Sequence, residues 1–486
     1  VKVISPGHSE AILEIESADK TVRILFDAWL SDFAFGDFMA RNPRVDLATI
    51  GELDAVYISH AHCDHLDPYT LLGLFERPAV LVIPETIEFL LPLLSTYLPH
   101  ADIRILRHNK PQQILGLTWT AFAFPAQYIT NEEDVMTLVI KSASESVFLE
   151  ADVALPDLPE AHSAVDKAMG NTERVFVSTR NELEALYNSY DAASPQDRKQ
   201  KLAAYRRKRR QELGWEYARY AELDLPCPMR RGNLKLLTGQ GMIFPPEIDP
   251  AYLKLSRPFP LQDVLAVEKE AARAAGHEIE LMVLEPGECL DTKTRRKSKS
   301  SLKLTHAQTG FETAAEKPGA RPAGPVFNEA RDMASQKRQI LSLLNDRFLP
   351  HQAYHREEPL KQLLLSRSSY TVRVRYGTLE SHEVVDYRIT FARFVFEEIS
   401  AVAAGANLPA ADEVYWANDL EDFLCGRQDQ FSTTLHRFEE GTSIRLWTML
   451  GLPFLNNDLV EKKAALHFKR AAQGLSVNDW LQSVRH

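Results

Sequence analysis

Over the first 180 residues, apolar and polar positions fall into short runs of strand character, each closed by turn-forming residues. Ala11-Ile12-Leu13-Glu14-Ile15 and Val22-Arg23-Ile24-Leu25-Phe26, joined by Ser17-Ala18-Asp19-Lys20, predict a β-hairpin. Leu53–Ile58 is an apolar, β-branched run, and Asp67-Pro68 after it predicts the start of a helix through Tyr69–Phe75. Val80–Pro84 reads as a parallel-type strand and Ile87–Tyr97 as a helix, which together suggest a βαβ unit. Strand signals continue at 103–106, 117–124, 137–140, 147–149 and 175–178.

Beyond residue 190 the pattern changes. Asp197–Tyr220 reads as a charged helix containing Arg206-Arg207-Lys208-Arg209-Arg210, a solvated face rather than an anion site. Strands are expected at 234–237, 241–244 and 279–284, with a helix at 260–275. Asp291–Gly324 is basic and rich in Ser and Pro, the composition of a mobile surface connector. From Val326 a helix near 328–345 precedes alternating strands at 370–376 and 384–390. Helices are then expected at 391–404, 420–423, 432–438, 459–472 and 477–484. The organisation read from this is a domain over 1–290 with a helical insertion near 191–222, a connector over 291–325, and a C-terminal α+β domain over 326–486. Trp416, Trp447 and Trp480 are spaced like core anchors.

Composition narrows the function. The chain has 486 residues, 45% hydrophobic and 25% charged, with a formal net charge of −11, which argues against a general nucleic-acid binder. The four cysteines are scattered and form no C-x-x-C, so no disulfide framework or iron–sulfur motif is implied and a cytoplasmic location is expected. Val1–His8 does not read as a signal peptide, and no apolar run approaches membrane-spanning length, so no membrane partner is expected.

The chemistry concentrates in Ser59-His60-Ala61-His62-Cys63-Asp64-His65, directly after the Leu53–Ile58 run. Neutral imidazoles and carboxylates are ligands that first-row divalent metals take readily, and a turn at a strand's end can aim several of them into one pocket. Two further carboxylates, Asp27 and Asp152, stand at the exits of predicted strands. Asp27 has the placement of a residue that orients a ligand imidazole. His8, in a Gly-His-Ser turn, either lines the pocket or caps the hairpin. Arg180, also at a strand exit, reads as a clamp for an anionic group or as a surface ion-pair partner. Cys63 is given no ligand role.

His60-x-His62-x-Asp64-His65, with Gly7-His8 and Leu25-Phe26-Asp27-Ala28-Trp29-Leu30 before it, resembles the metallo-β-lactamase superfamily. The implied fold is an α/β, αββα sandwich with metals at one edge. The order of later landmarks, through Asp152, Pro286-Gly287, Leu290-Asp291 and Asp386-Tyr387, is similar to the metallo-β-lactamase-like portion of the CMP-N-acetylneuraminate hydroxylase family. That family also carries a Rieske module, for which this chain has no Cys-x-His paired with Cys-x-x-His; the resemblance therefore implies an external electron donor.

Two departures bear on the site. Superfamily hydrolases have another His on the loop after the strand near 117–124, where this chain reads Pro125–Asp134, and a late His where Val177-Ser178-Thr179-Arg180 stands. The resemblance then leaves His60, His62, Asp64, His65 and Asp152 as ligands of one or two divalent metals, iron or zinc, with Gln127, Glu133 or Asp134 as oxygen substitutes for the lost His. Two imidazoles and one carboxylate with open positions suit non-haem iron and an oxygenase acting on a small molecule. The second reading is a zinc hydrolase of an ester, amide or phosphodiester in which Asp64 holds or deprotonates the attacking water. The third is a degenerate binding site.

Overall fold

The structure is a computed structural model. It describes residues 1–18, 20–32, 40–41, 43–77, 79–123, 135–151, 159–178, 184–186, 234–239, 242–243, 256–258, 261–305, 331–350, 369–377, 382–390, 392–403, 411, 413–425 and 457–476.

Six strands of the first sheet are β1 (Lys2–Gly7), β2 (Glu10–Glu16), β3 (Thr21–Phe26), β4 (Ala55–Tyr57), β5 (Ala79–Pro84) and β6 (Ala101–Leu106). The seven strands of the second sheet are β7 (Gln112–Ile114), β8 (Leu117–Ala123), β9 (Met136–Lys141), β10 (Glu145–Glu150), β11 (Glu173–Ser178), β12 (Leu234–Leu237) and β13 (Glu280–Val283). β14 (Glu288–Asp291) and β15 (Arg296–Lys299) return to the first sheet, whose order is β15-β14-β1-β2-β3-β4-β5-β6. The second sheet runs β13-β12-β11-β10-β9-β8-β7. β3 to β6 are mutually parallel, and so are β10 to β13. Parallel neighbours need crossovers, supplied in the first sheet by α1 (Pro68–Leu74) and α2 (Leu91–Tyr97).

Period-two alternation gives each sheet two apolar faces. Leu13, Ile24, Phe26 and Tyr57 meet Trp119, Leu138, Ile140 and Leu149 between the sheets. The opposite face of the first sheet, with Ile12, Leu25, Val56 and Leu81, packs on Leu71 and Phe75 of and beside α1 and on Leu94 of α2. Phe122, Phe148 and Phe176 of the second sheet pack against α3 (Pro159–Met169) and α4 (Leu261–Ala274). Four layers, helices–sheet–sheet–helices, result: the α/β, αββα sandwich expected from the sequence.

Four regions differ from expectation or add to it. Residues 288–299, at and past the expected boundary at 290, form a hairpin on β1, with Asp291 accepting from Lys293 N at 3.0 Å and Thr294 N at 2.9 Å across the turn. The basic composition that reads as a linker is also what an exposed edge strand uses to discourage further pairing. Residues 396–403, expected within a helix, form the strand β18 instead. Phe396, Ile399 and Val402 recur at helical spacing, but antiparallel pairing with the preceding strand overrides it and leaves Ile399 exposed. β18 belongs to a separate, four-stranded sheet ordered β18-β17-β16-β19, with β16 (Ser369–Gly377), β17 (His382–Thr390) and β19 (Glu413–Trp416). β19 was not expected from the sequence. This sheet packs on α5 (Met333–Ser342) and α6 (Ala417–Leu424), and Trp416 is buried in it as expected. Finally, α7 (Asn457–Ala472) does not pack on that sheet's apolar cluster. Val460, Ala464 and Phe468 enter the cluster of α1 and α2, and Phe468 stacks on Tyr97 with ring centroids 5.3 Å apart.

The expected elements at 197–220, 432–438 and 477–484, with Trp447 and Trp480, lie outside the described residues. Among the described residues, no helix is long and apolar enough to cross a membrane.

Candidate metal centre

β4 delivers Ser59–His65 to the edge of the sandwich where the parallel strands end. Two contacts lock this loop to the second sheet: Tyr57 Oη donates to Met136 O at 2.9 Å, and Met136 N donates to Ser59 O at 3.1 Å. The exit of β10 is at the same edge, because its Leu149 pairs with Leu138, two residues beyond Met136. The loop runs into α1, whose first turn is capped by Asp67 accepting from Tyr69 N at 3.1 Å and Thr70 N at 3.3 Å. Ser31 N and Leu30 N reach the same cap through Asp67 and Thr70.

Asp27 is the organising carboxylate. It ends β3 with φ of 56°, a left-handed conformation that Asp tolerates better than most residues, and it is fully buried. Its Oδ1 accepts from Ser59 N at 2.7 Å, and its Oδ2 accepts from Ser59 Oγ at 2.9 Å and His65 Nδ1 at 2.8 Å. These bonds fix two imidazole tautomers. A carboxylate only accepts, so His65 carries its proton on Nδ1 and keeps a lone pair on Nε2. Ser59 spends its single hydroxyl hydrogen on Asp27 and so accepts from His60 Nδ1, 2.8 Å away, leaving a lone pair on His60 Nε2. One carboxylate thus prepares both rings to ligate through the same nitrogen, the outer arrangement expected around metal-bound histidines.

The rings are close. His60 lies 4.0 Å from His65 and 4.2 Å from His62 between centroids, and His65 Nε2 is 3.7 Å from Asp64 Oδ2. Burial pushes the His60 pKa well below its usual value, reinforced by His65 and His62, which keeps the ring neutral. Burial would raise the pKa of Asp64, but His65, the hydrogen bond from His8 and His62 outweigh it and hold the carboxyl ionised. Asp27 is displaced upward by burial, opposed by His65 and Ser59.

His8 joins this group. It sits at the β1–β2 turn with φ of 51°, fully buried, edge-on to Trp29 at 4.6 Å, with Nε2 3.0 Å from Asp64 Oδ2. Gly7 before it has φ of 104°, and an added Cβ would meet Pro43 at 3.4 Å and Pro286 at 3.5 Å. Beneath the turn lies an ion pair that the sequence did not announce. Arg41 and Glu10, both fully buried, meet at 2.7 Å, and the guanidinium also donates to the carbonyls of Pro6, Gly7 and Trp29. Burial raises the Glu10 pKa to about 8, opposed chiefly by Arg41.

Of the residues singled out in the sequence, His8, Asp27, His60, His62, Asp64 and His65 come together here. Asp152, Gln127, Asp134 and Arg180 lie outside the described residues, as does Glu133. Ser59, Glu10, Arg41 and Trp29 were missed as participants. Only Ser59 and Trp29 had a sequence signal, as members of the His cluster and of the Leu25–Leu30 run. The donor chemistry, two neutral rings with defined lone pairs beside an ionised carboxylate, fits a divalent first-row metal. Among the described residues, no three His, Cys, Asp or Glu side chains are arranged to hold one ion, so the set there is partial.

Residues 22–180 match the beta-lactamase superfamily domain. A Mycolicibacterium smegmatis protein, provisionally named a Rieske 2Fe-2S iron-sulfur protein, is 30% identical over 87 residues, which are 18% of this chain and 16% of the relative. The chain therefore spans only a small part of that relative. Among solved structures, CmlA, a diiron beta-hydroxylase from Streptomyces venezuelae, is 15% identical, with 61% of this chain and 54% of that one covered and a TM-score of 0.36. The metallo-beta-lactamase fold protein YhfI from Bacillus subtilis is 14% identical, with 61% and 99% covered and a TM-score of 0.31.

Proposed function

We propose that this chain is a metal-dependent enzyme whose centre is held by His60, His62, Asp64 and His65, with Asp152 completing the set. The observation that supports it most is the double tautomer control by Asp27, direct on His65 and through Ser59 on His60. A core that only needed to satisfy a buried carboxylate has no use for fixing two neighbouring rings so that each keeps its lone pair on Nε2. Two imidazoles with a carboxylate leave positions open on the metal, and the bound ion would supply activation of oxygen or water there.

The favoured reading is a non-haem iron oxygenase acting on a small metabolite with electrons from a separate protein. The resemblance to a hydroxylase family supports it, and so does the Rieske-named relative. The chain's own residues hold the ligands in one tautomer, keep His60 neutral and keep Asp64 ionised. The second reading is a zinc-dependent hydrolase, favoured by the ionised Asp64, a group suited to orient or deprotonate an attacking water.

Metal analysis of anaerobically purified protein, with its optical spectrum, tests both. Stoichiometric iron with an O2-sensitive absorption band is the expected result. Zinc without iron, with metal-dependent cleavage of a generic ester or phosphodiester, would move the assignment to the hydrolase. No stoichiometric metal, and no change in a His60→Ala/His62→Ala variant, would overturn both.

A further inference from the structure

We propose that His8 is a positioning residue for Asp64, and that the buried Arg41–Glu10 pair holds His8 in place. The inference rests on the metal-centre reading above and extends it to a residue that ligates nothing itself.

Three observations converge on Asp64. His8 Nε2 is 3.0 Å from Oδ2, and because an ionised carboxylate only accepts, the ring donates. Ser9, the next residue, places its hydroxyl 3.4 Å from the Asp64 carbonyl, so the β1–β2 turn reaches both the side chain and the backbone of this residue. Among the described residues, no hydrogen bond is made to Asp64 Oδ1. With Oδ2 engaged by His8, the orientation of the whole carboxylate is fixed, and with it the face that Asp64 would offer to a metal.

Such a contact positions only if the ring is itself immobile. Trp29 covers it edge-on, and Arg41 grips the chain around it. The Arg41 fork reaches the carbonyls of Pro6 and Gly7 just before His8, Glu10 just after, and the carbonyl of Trp29 on the covering residue. Its guanidinium carbon lies 5.8 Å from the Trp29 ring centroid. A planar guanidinium can serve four acceptors from one place; the single ammonium of Lys cannot. Both members of the pair are fully buried, a costly arrangement that is reasonable where conformational definition is what the site requires.

The test is Co(II) titration of metal-free protein, followed by visible absorption, on wild type, His8→Gln, His8→Phe and Arg41→Lys, with thermal melts of each metal-free protein. Gln places an amide N–H where the imidazole Nε2–H was. The expected result is Co(II) binding within about threefold of wild type for His8→Gln and weakened about 10–100-fold for His8→Phe, the range typical of outer-shell partners. Arg41→Lys should weaken binding in the same direction; if it does not fold, the His8 pair still decides. Wild-type affinity in His8→Phe overturns the proposal, as does equal weakening in His8→Gln and His8→Phe. If the wild type binds no Co(II), both this inference and the metal-centre reading fall. If it binds and His8→Phe binds equally, only this inference falls.

Discussion

Two buried carboxylates, one in each sheet system, meet their partners in opposite ways. In the C-terminal sheet, Arg373 and Asp386 are directly opposed on β16 and β17, and the guanidinium holds both carboxylate oxygens, Nε to Oδ1 at 2.8 Å and Nη2 to Oδ2 at 2.9 Å. This bidentate fork joins two neighbouring strands of one hairpin. Asp27 is equally buried, but its partners are a backbone amide, a hydroxyl and an imidazole. Each of the two side-chain partners has a second function to offer: Ser59 accepts from His60, and His65 turns Nε2 toward Asp64. Burial of a charge does not by itself distinguish structure from function; what the partners do with their remaining atoms does.

Removing Arg373 should break the closed pair at the largest cost. Arg373→Ala leaves Asp386 buried and uncompensated, a loss of about 3–5 kcal/mol, read by chemical denaturation. Co(II) affinity of the protein that remains folded should be unchanged; a parallel loss of metal binding would erase the distinction drawn above. Asp27→Asn makes the converse change. It keeps shape and packing but replaces an acceptor by an amide able to donate, so His65 and His60 lose their enforced tautomers. Metal affinity should fall about 10–100-fold, with a smaller effect on stability than Arg373→Ala.

The docking of α7 on α1 and α2 gives a smaller, pH-dependent effect. His467 on α7 has its pKa lowered to about 3 by burial, assisted by Lys463 and Arg470, against 6.5 for an ordinary histidine. Below pH 6.5 the unfolded chain takes up a proton that the folded chain refuses, so stability falls as pH drops from 6.5 toward 3. Between pH 6.5 and 5 the loss should be about 2 kcal/mol. A His467→Gln variant should flatten that slope in denaturation curves; an unaltered slope would remove His467 from the account. Smallest of all, Tyr69→Phe deletes the hydroxyl 2.9 Å from His467 Nδ1 and should cost about 1 kcal/mol in melting experiments, with metal binding retained.

What the sequence disclosed was what is local. The four ligand-type residues His60, His62, Asp64 and His65 fall within six positions after an apolar strand, and no tertiary knowledge is needed to suspect them. Asp27 was legible because it ends a strand beside them. Arg41 and Glu10 were not, since an ion pair 31 residues apart leaves no periodic trace, and Arg41 resembles any surface arginine until the fold encloses it. The 396–403 strand was misread because Phe396, Ile399 and Val402 recur at helical spacing, which only pairing with β17 overrides. The docking of α7 was invisible for a similar reason: an amphipathic helix declares that it has a buried face, not which surface will cover it.

That last contact has a consequence for how the protein is made. Tyr69 and His467 are 398 residues apart in the chain. At about 5–20 residues per second, a ribosome needs on the order of 20–80 s to cover that distance. During that interval the face of α1 and α2 that carries Tyr69 and Tyr97 waits for its cover, even though β1–β6 and the His60–His65 loop are synthesised early in it or before it. Newly made chains should therefore pass through a stage with an exposed apolar face beside a formed ligand loop. The growing polypeptide would need either a chaperone or slow aggregation kinetics to bridge it.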